Sequence, residues 1–221
     1  MTLPLSVIAV QPFAQTLKIL NLSKRRKDPL FSLPPQDGVF LPVLEELTLE
    51  GCNISDTVPV TRSGATPDGG DGFSMPRTSE PLLPLLAKLF PSLRMLDVSY
   101  NALTSAALSQ DALSSIILAS DSAAPERKGL RHLRLRGNHI DELDGFQGIA
   151  ELFKGNRECP AWNLEELDLR DNEIGKLPAE LGLLPLDVFL VDGNIFRIPQ
   201  RRVWEREGTK GLLSWLRGRI E

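Results

Sequence analysis

The chain has 221 residues, of which 42% are hydrophobic and 24% are charged, and 29 acidic against 25 basic residues give a net charge of -4. This balance is typical of one soluble globular domain, and the excess of acid argues against general binding to nucleic-acid phosphates. No apolar run reaches the ~18 residues that a membrane-spanning helix needs, and the 2 cysteines are too few for a disulfide framework. We therefore expect an intracellular protein, cytoplasmic or nuclear, that is monomeric alone.

One leucine pattern recurs along the chain. It reads Leu-x-x-Leu-x-Leu-x-x-(Asn or Cys)-x-Leu, and its second and third leucines alternate as they do along a strand. The first unit keeps only the strand half, because Arg25 and Lys27 stand at the last two positions. The six units are, in chain order, Leu17, Leu20, Leu22; Leu44, Leu47, Leu49, Cys52, Ile54; Leu93, Leu96, Val98, Asn101, Leu103; Leu130, Leu133, Leu135, Asn138, Ile140; Leu164, Leu167, Leu169, Asn172, Ile174; and Leu186, Phe189, Val191, Asn194, Phe196.

These units resemble the leucine-rich repeat superfamily, and the resemblance covers nearly the whole chain. It implies an α/β fold in which residues 1–221 form a single curved solenoid, with a parallel sheet on the concave side and mixed helical and extended segments on the convex side. A single unit has no closed core, so its stability has to come from stacking on its neighbours. The strands are expected near residues 17–23, 44–50, 93–99, 130–136, 164–170 and 186–192.

The ninth position of the units predicts a structural ladder. An asparagine there can bond backbone groups of its own turn and of the neighbouring unit, which satisfies polar groups that stacking would otherwise bury unpaired. A cysteine can do this only weakly. The ladder residues are Cys52, Asn101, Asn138, Asn172 and Asn194.

The connections between the strands differ in length and composition. Residues 55–78 are rich in Gly, Ser, Thr, Pro and Asp and predict a disordered loop, whereas residues 81–90 predict a short buried helix. Further helices are expected around 110–119 and at 144–154, where Asp144 and Gln147 are spaced as a capping box.

The two ends of the chain do not follow the repeat. Residues 197–221 predict a helical cap whose helix starts at Gly208, and this ending is similar to that of a group of intracellular eukaryotic leucine-rich-repeat proteins, the leucine-rich repeat-containing protein 40 group. Residues 3–7 look like the second half of a repeat. Either the chain is the C-terminal part of a longer solenoid, or residues 3–13 fold back as a cap. The C-terminal cap residues are Trp204, Leu212, Leu213, Trp215 and Leu216.

Strand positions that point away from the core define the expected binding face. Charge lies in bands along it, and the parallel register sets Arg131 opposite Glu165 and Arg134 opposite Asp168, about 4.8 Å apart. Lateral salt bridges would account for those pairs but not for exposed apolar groups such as Val188. We therefore expect a protein partner on the concave side. The expected contacts are Met95, Asp97, Tyr100, His132, Arg134, Arg136, Glu166 and Asp168.

An enzymatic function lacks support in the sequence. His132 near Glu166 could imitate an acid/base pair, but no nucleophile or pocket signal accompanies it. Neither Cys52 nor Cys159 has a cysteine or histidine at metal-ligand spacing, so we expect no metal and no cofactor.

Two other functions remain open. A regulatory subunit of a phosphatase or small GTPase would use the same concave face. A ribonucleoprotein scaffold would need a continuous basic strip, and acidic rows interrupt the one that includes Arg131. The basic run at residues 24–27 is either a nuclear-import or anionic-surface signal or a solvated turn of the degenerate first unit.

Overall fold

The computed structural model describes residues 2–3, 5–27, 30–33, 40–62, 77–122, 126–155 and 157–220. The strands in these ranges form one sheet of six strands and one of four. The strands are β1 (Thr2–Leu3), β2 (Ile19–Asn21), β3 (Leu30–Leu33), β4 (Glu46–Thr48), β5 (Thr57–Arg62), β6 (Arg77–Pro81), β7 (Met95–Asp97), β8 (His132–Arg134), β9 (Glu166–Asp168) and β10 (Val188–Leu190).

The six-stranded sheet has the order β10-β9-β8-β7-β4-β2, and all its pairings are parallel. This confirms the α/β class with a six-stranded parallel sheet. Each strand has only three residues, and the middle one points into the core, because alternate residues of a strand face opposite sides. The aligned middle residues are Leu20, Leu47, Leu96, Leu133, Leu167 and Phe189.

Helices and 3-10 turns pack against the buried side of this sheet, and they follow one another in the same order as the strands. They are α2 (Leu82–Leu89), α3 (Gln110–Ile117), α4 (Asp144–Ala150) and the 3-10 turns Glu151–Phe153 and Ala179–Leu183. Neighbouring members pack on each other, and their apolar side chains join one continuous core with the strand leucines. The helices expected at 81–90 and 110–119 are present.

One expectation about helix ends is wrong. The helix expected at 144–154 stops at Ala150 and continues only as the 3-10 turn, and no side chain caps its beginning, so Asp144 and Gln147 do not form a capping box. The C-terminal helical segment α5 (Arg202–Arg217) consists of two helices that meet in a kink at Gly208, which has a non-helical backbone with a φ of 61°. The helix that carries the buried leucines therefore starts after Gly208, as expected, and the helix before Gly208 was not predicted.

The second sheet was not predicted from the sequence. It has the order β1-β3-β5-β6, with β5 and β6 antiparallel. The expectation of a disordered loop at 55–78 is wrong at both ends, because residues 57–62 and 77–81 are paired strands, and residues 63–76 lie outside the described ranges. Val58 and Val60 alternate toward the core, each 1% exposed, and this apolar alternation stabilises β5.

Helix α5 lies at the C-terminal edge of the molecule. Its residues Leu212, Leu213 and Leu216 are buried, and the helix packs on the 3-10 turn Ala179–Leu183 and on β10. Trp204 and Trp215 are only half-buried. No helix within the described ranges is long and apolar enough to cross a bilayer.

The first residues of the chain form a different edge. Helix α1 (Leu5–Ala9) contacts β3, and a 3-10 turn (Pro12–Gln15) leads into β2. Leu5 and Ala14 are buried, whereas Val7, Val10 and Phe13 are 60%, 77% and 51% exposed. The apolar surface at this edge is therefore only partly covered.

Candidate protein-binding face

The first and third residues of the six parallel strands form what we call the outward face, the side of the sheet opposite the core. All eight expected contacts belong to the adjacent strands β7, β8 and β9 or to the turns that follow them, on this face or at its margin. Asp168 is almost completely buried, with 3% exposure. Across β7, β8 and β9, the aligned first residues are Met95, His132 and Glu166, and the aligned third residues are Asp97, Arg134 and Asp168.

A turn with a left-handed residue follows each strand, directly before the ladder position. The backbone has positive φ at this position in all six units: Lys24, Gly51, Tyr100, Gly137, Asp171 and Gly193. Glycine is favoured there, since other residues adopt positive φ only at some cost. Tyr100 (φ 55°) is therefore a bulky residue at a position where the next unit has glycine.

The glycine of the neighbouring unit is what makes room for the tyrosine ring. A Cβ atom on Gly137 would lie 2.5 Å from Cδ1 of Tyr100, so the ring rests directly on the Gly137 backbone. The guanidinium of Arg136 lies 5.7 Å from the ring centroid, within range of a cation–π interaction. Tyr100 is thus held in place although 47% of it is exposed.

The asparagine ladder supports these turns from inside. The Asn101 side chain accepts hydrogen bonds from the backbone of Cys52 and Ile54 and donates to Leu49 and Val98. Asn138, Asn172 and Asn194 each bond both their own unit and the preceding one in the same way. Cys52 donates its thiol to the Leu22 carbonyl at 3.1 Å.

Arginines of β8 and its flanks pair with carboxylates of the next unit. Arg131 donates to Glu165, as its position predicts. The expectation that Arg134 pairs with Asp168 is wrong: Arg134 donates to Glu166 at 2.7 Å, diagonally across the register. Asp168 instead accepts two hydrogen bonds from the Arg170 side chain, because Arg170 follows it on the same side of the chain.

Three members of these pairs have shifted pKa values. The hydrogen bond from Arg131 lowers the pKa of Glu165 and outweighs the opposing effect of burial. The hydrogen bond to Glu166 raises the pKa of Arg134, and the bond to Asp168 raises the pKa of Arg170. Each shift favours the charged form of Glu165, Arg134 or Arg170.

The apolar groups on this face are not contiguous. Met95 and Tyr100 belong to the β7 unit, whereas Val188 (37% exposed) and Leu190 belong to β10. The charged rows of β8 and β9 separate them by about 14 Å, three strand spacings. Met95 and Tyr100 therefore lie apart from Val188 and Leu190, which are at the sheet edge.

Neither histidine is paired with Glu166. The nearest carboxylate to His132 is Glu165, with 3.8 Å from Nε2 to Oε2, while Glu166 is occupied by Arg134. His139 lies beside Glu173, 2.8 Å from Nδ1 to Oε1, in an exposed position. Within the described ranges, no three His, Cys, Asp or Glu residues are placed to hold a metal ion.

Two contributions to this face were missed from the sequence. Arg170 holds the buried Asp168, and Trp204 donates its indole N–H to Asp192 at 3.0 Å, next to β10. The sequence does indicate Arg170, because it stands two residues after Asp168 and therefore points to the same side of the sheet. Nothing in the repeat signals Trp204, because it belongs to α5.

Comparison with protein families finds a match to the leucine-rich repeat over residues 163–184, the segment that includes β9 and the ladder residue Asn172. Such repeats are commonly protein-interaction modules and are generally non-enzymatic. A leucine-rich repeat in this segment, together with the parallel sheet, supports a general role in protein binding.

Proposed function

We propose that the protein is a non-enzymatic, intracellular protein-interaction module, a leucine-rich-repeat solenoid that binds its partner on the outward face of the six-stranded sheet. In this proposal the outward face is the concave side, and α5 is the cap of the C-terminal end. The buried leucines of α5 and their packing on the last repeat support the role of a cap.

The observation that carries the proposal is the exposed, rigidly held Tyr100. Its ring rests on Gly137 and lies beside Arg136, and Met95 is half-buried on the same strand unit. Tyrosine, methionine and arginine are enriched in the centres of protein interfaces. Because the ring is already fixed, it loses little conformational entropy when a partner covers it.

The charges around Tyr100 indicate the chemistry of the partner. Arg134 and Arg136 are neutralised by Glu166 and Asp171. Asp97 on β7, the strand that leads to Tyr100, and Glu46 on the neighbouring β4 form no ion pair within the described ranges. A partner that sets an apolar group on Tyr100 and a basic group near Asp97 would match this surface. The paired arginines argue against a nucleic-acid partner, since phosphates would have to displace carboxylates from them.

The test is capture of partners by the immobilised protein, read by quantitative mass spectrometry. We expect Tyr100→Ala combined with Arg134→Gln to reduce the captured partner at least about tenfold, the effect of losing an interface hot spot. Glutamine is chosen because a glutamate would add a third carboxylate beside Glu166 and Asp97 and could unfold the site.

The matched control is Phe13→Ala combined with Arg157→Gln. It removes an aromatic side chain of similar exposure, 51%, and an exposed arginine away from the outward face. This variant should retain capture, and both variants should melt close to the wild type. If the Tyr100 variant captures the same proteins in the same amounts, the outward face is not the binding site.

A further inference from the structure

The C-terminal edge carries a second surface, distinct from the outward face, which we call the C-terminal groove. It lies between the segment at residues 175–180, the segment at 195–198 and the end of α5, and has a volume of about 820 Å³. That size is within the usual range of ligand sites. No residue of the outward face lines it.

The groove is apolar in its walls and floor. Ile195 and Ile198 are 68% and 62% exposed, and Trp215 and Ile220 are half-buried on the opposite side, on α5 and just beyond its end. Leu216 closes the floor and is 1% exposed. Isoleucines this exposed beside a concave surface have no packing role in the described part of the chain, and they suit a surface that a partner covers.

The rim of the groove is basic. Lys176, Arg197 and Arg219 line it, against the single carboxylate of Glu180. None of these three cations forms an ion pair with any residue that the structure describes, in contrast to Arg131, Arg134 and Arg136 on the sheet, which are all paired. The rim is therefore a site where carboxylates of another molecule can bind without displacing any of this chain.

One of the three cations is already positioned. The guanidinium of Arg219 lies 4.1 Å from the centroid of the Trp215 ring, stacked over its face. This stacking leaves the N–H groups in the guanidinium plane available, and those are the donors that bind carboxylates in bidentate geometry.

We propose that the C-terminal groove binds an acidic peptide segment of a partner protein, with apolar side chains of the segment packed between Ile198 and Trp215 and its carboxylates on the basic rim. The charge complementarity selects an acidic ligand, and the exposed isoleucines select one with apolar anchors. The phosphates of a free nucleic acid would pair with the cations of the rim, but both isoleucines would remain exposed to water. This interaction is independent of the outward face, so one molecule could hold two partners.

The experiment is a fluorescence-anisotropy titration with labelled peptides of about ten residues, a length that covers such a groove in an extended or helical form. The first peptide carries leucine anchors among aspartates and glutamates, the second replaces the acids with lysines, and the third replaces the leucines with serines. We expect only the first to bind, with a dissociation constant on the order of micromolar, and its affinity should fall as salt rises.

Two variants test the groove itself. Ile198→Glu and Arg197→Glu should each weaken binding of the first peptide at least about tenfold, because they add negative charge among its carboxylates. The control is Val10→Glu, which introduces the same residue at an apolar side chain with 77% exposure, outside both the groove and the outward face, and it should bind as the wild type does.

Several results would overturn the proposal. These are equal binding of the lysine peptide, equal binding of the serine peptide, or unchanged affinity in both groove variants. A labelled single-stranded RNA that binds at the groove more tightly than the acidic peptide would also overturn it, since the site would then recognise phosphate.

Discussion

The two ends of the six-stranded sheet are built differently. At the C-terminal end, Phe189 of β10 is 3% exposed because α5 packs over the last unit, and the β10 backbone donates from Phe189 to the Thr209 hydroxyl. At the N-terminal end, the equivalent Leu20 of β2 is only half-buried, and Ile19 beside it is 61% exposed. The same strand position is thus sealed at one end and partly open at the other.

The difference shows what a repeat can and cannot provide. Each unit supplies a face for its neighbour, so the inner strands are buried whatever lies beyond them. The last unit in either direction needs residues that do not follow the repeat. At the C-terminal end α5 supplies them, and at the N-terminal end α1 and the 3-10 turn cover only part of the surface.

The hydrogen bonds of the ladder are also weaker at the N-terminal end of the sheet. From Asn101 onward each asparagine accepts from one unit and donates to two, and these bonds are almost completely buried in the middle of the sheet. Toward the N-terminus the ladder ends in Cys52, whose thiol is a weak donor. The contrast between the two ends leads to three predictions on stability and ionisation.

The largest effect is expected from Asn138→Ala. Its side chain accepts from the Leu103 amide and donates to the Val98 and Leu135 carbonyls. The alanine leaves the buried Leu103 amide without this partner, whereas the two carbonyls keep their bonds from Asn101 and Asn172. At roughly 1–3 kcal/mol for the unsatisfied amide and about 1 kcal/mol for each of the two other lost bonds, the free energy of unfolding should fall by about 3 kcal/mol. Urea unfolding measures it.

Cys52→Ala is the counterpart at the N-terminal end of the ladder. Because the thiol forms only weak hydrogen bonds and has a small buried volume, we expect a loss of about 1 kcal/mol. Equal losses in the two variants would show that the ladder is as strong at its N-terminal end as in its middle.

The second prediction concerns how α5 seals the sheet. A Cβ atom on Gly182 would lie 2.4 Å from the Arg217 amide nitrogen and 2.7 Å from the Leu213 carbonyl oxygen, so the helix rests directly on this glycine. Gly182→Ala should push α5 away and cost about 1–3 kcal/mol, as overpacking does. Hydrogen exchange of the β10 amides should accelerate, making this end resemble the open one.

Gly175→Ala provides the control, because a Cβ atom there has nothing within 4 Å. It should leave the free energy of unfolding and the exchange of β10 nearly unchanged. Should both alanine variants behave alike, the contact between Gly182 and α5 does not hold the helix in place.

The smallest effect concerns two equivalent ion pairs, Lys18–Glu45 at the N-terminal end and Arg131–Glu165 toward the C-terminal end. The hydrogen bond from each cation lowers the pKa of its glutamate below 4.5. A lowered folded pKa means that each pair stabilises the fold above the unfolded pKa and loses this contribution as the pH falls through the folded pKa.

NMR titration of the glutamate side chains tests these pairs. Arg131→Gln should raise the pKa of Glu165 toward 4.5 and leave Glu45 unchanged, and Lys18→Gln should do the reverse. Because both pairs are exposed, melting temperatures at neutral pH should hardly change. A Glu165 pKa that does not respond to Arg131→Gln would mean that the pair does not form in solution.

Much of the fold follows from local pattern. The leucine spacing places all six parallel strands and the ladder. Within each unit, alternate residues of the strand are buried and one residue of the turn forms the ladder bonds, so both features can be predicted from a single unit. The site was predicted less well. The parallel register was right for both Arg131 and Arg134, but Asp168 is bonded to Arg170 and the Arg134 side chain turns to Glu166 instead. The register alone does not specify which carboxylate a side chain bonds.

The sequence by itself determined the α/β class, the inward leucines and the asparagine ladder, since these need only the neighbouring unit. The tertiary structure alone decided three other features. It paired β5 with β6 within a segment whose composition suggests a loop, and it set Tyr100 against Gly137. It also left the three cations on the rim of the C-terminal groove without an ion pair to any residue that the structure describes. Each depends on which distant side chains meet, and a one-dimensional pattern does not specify those contacts.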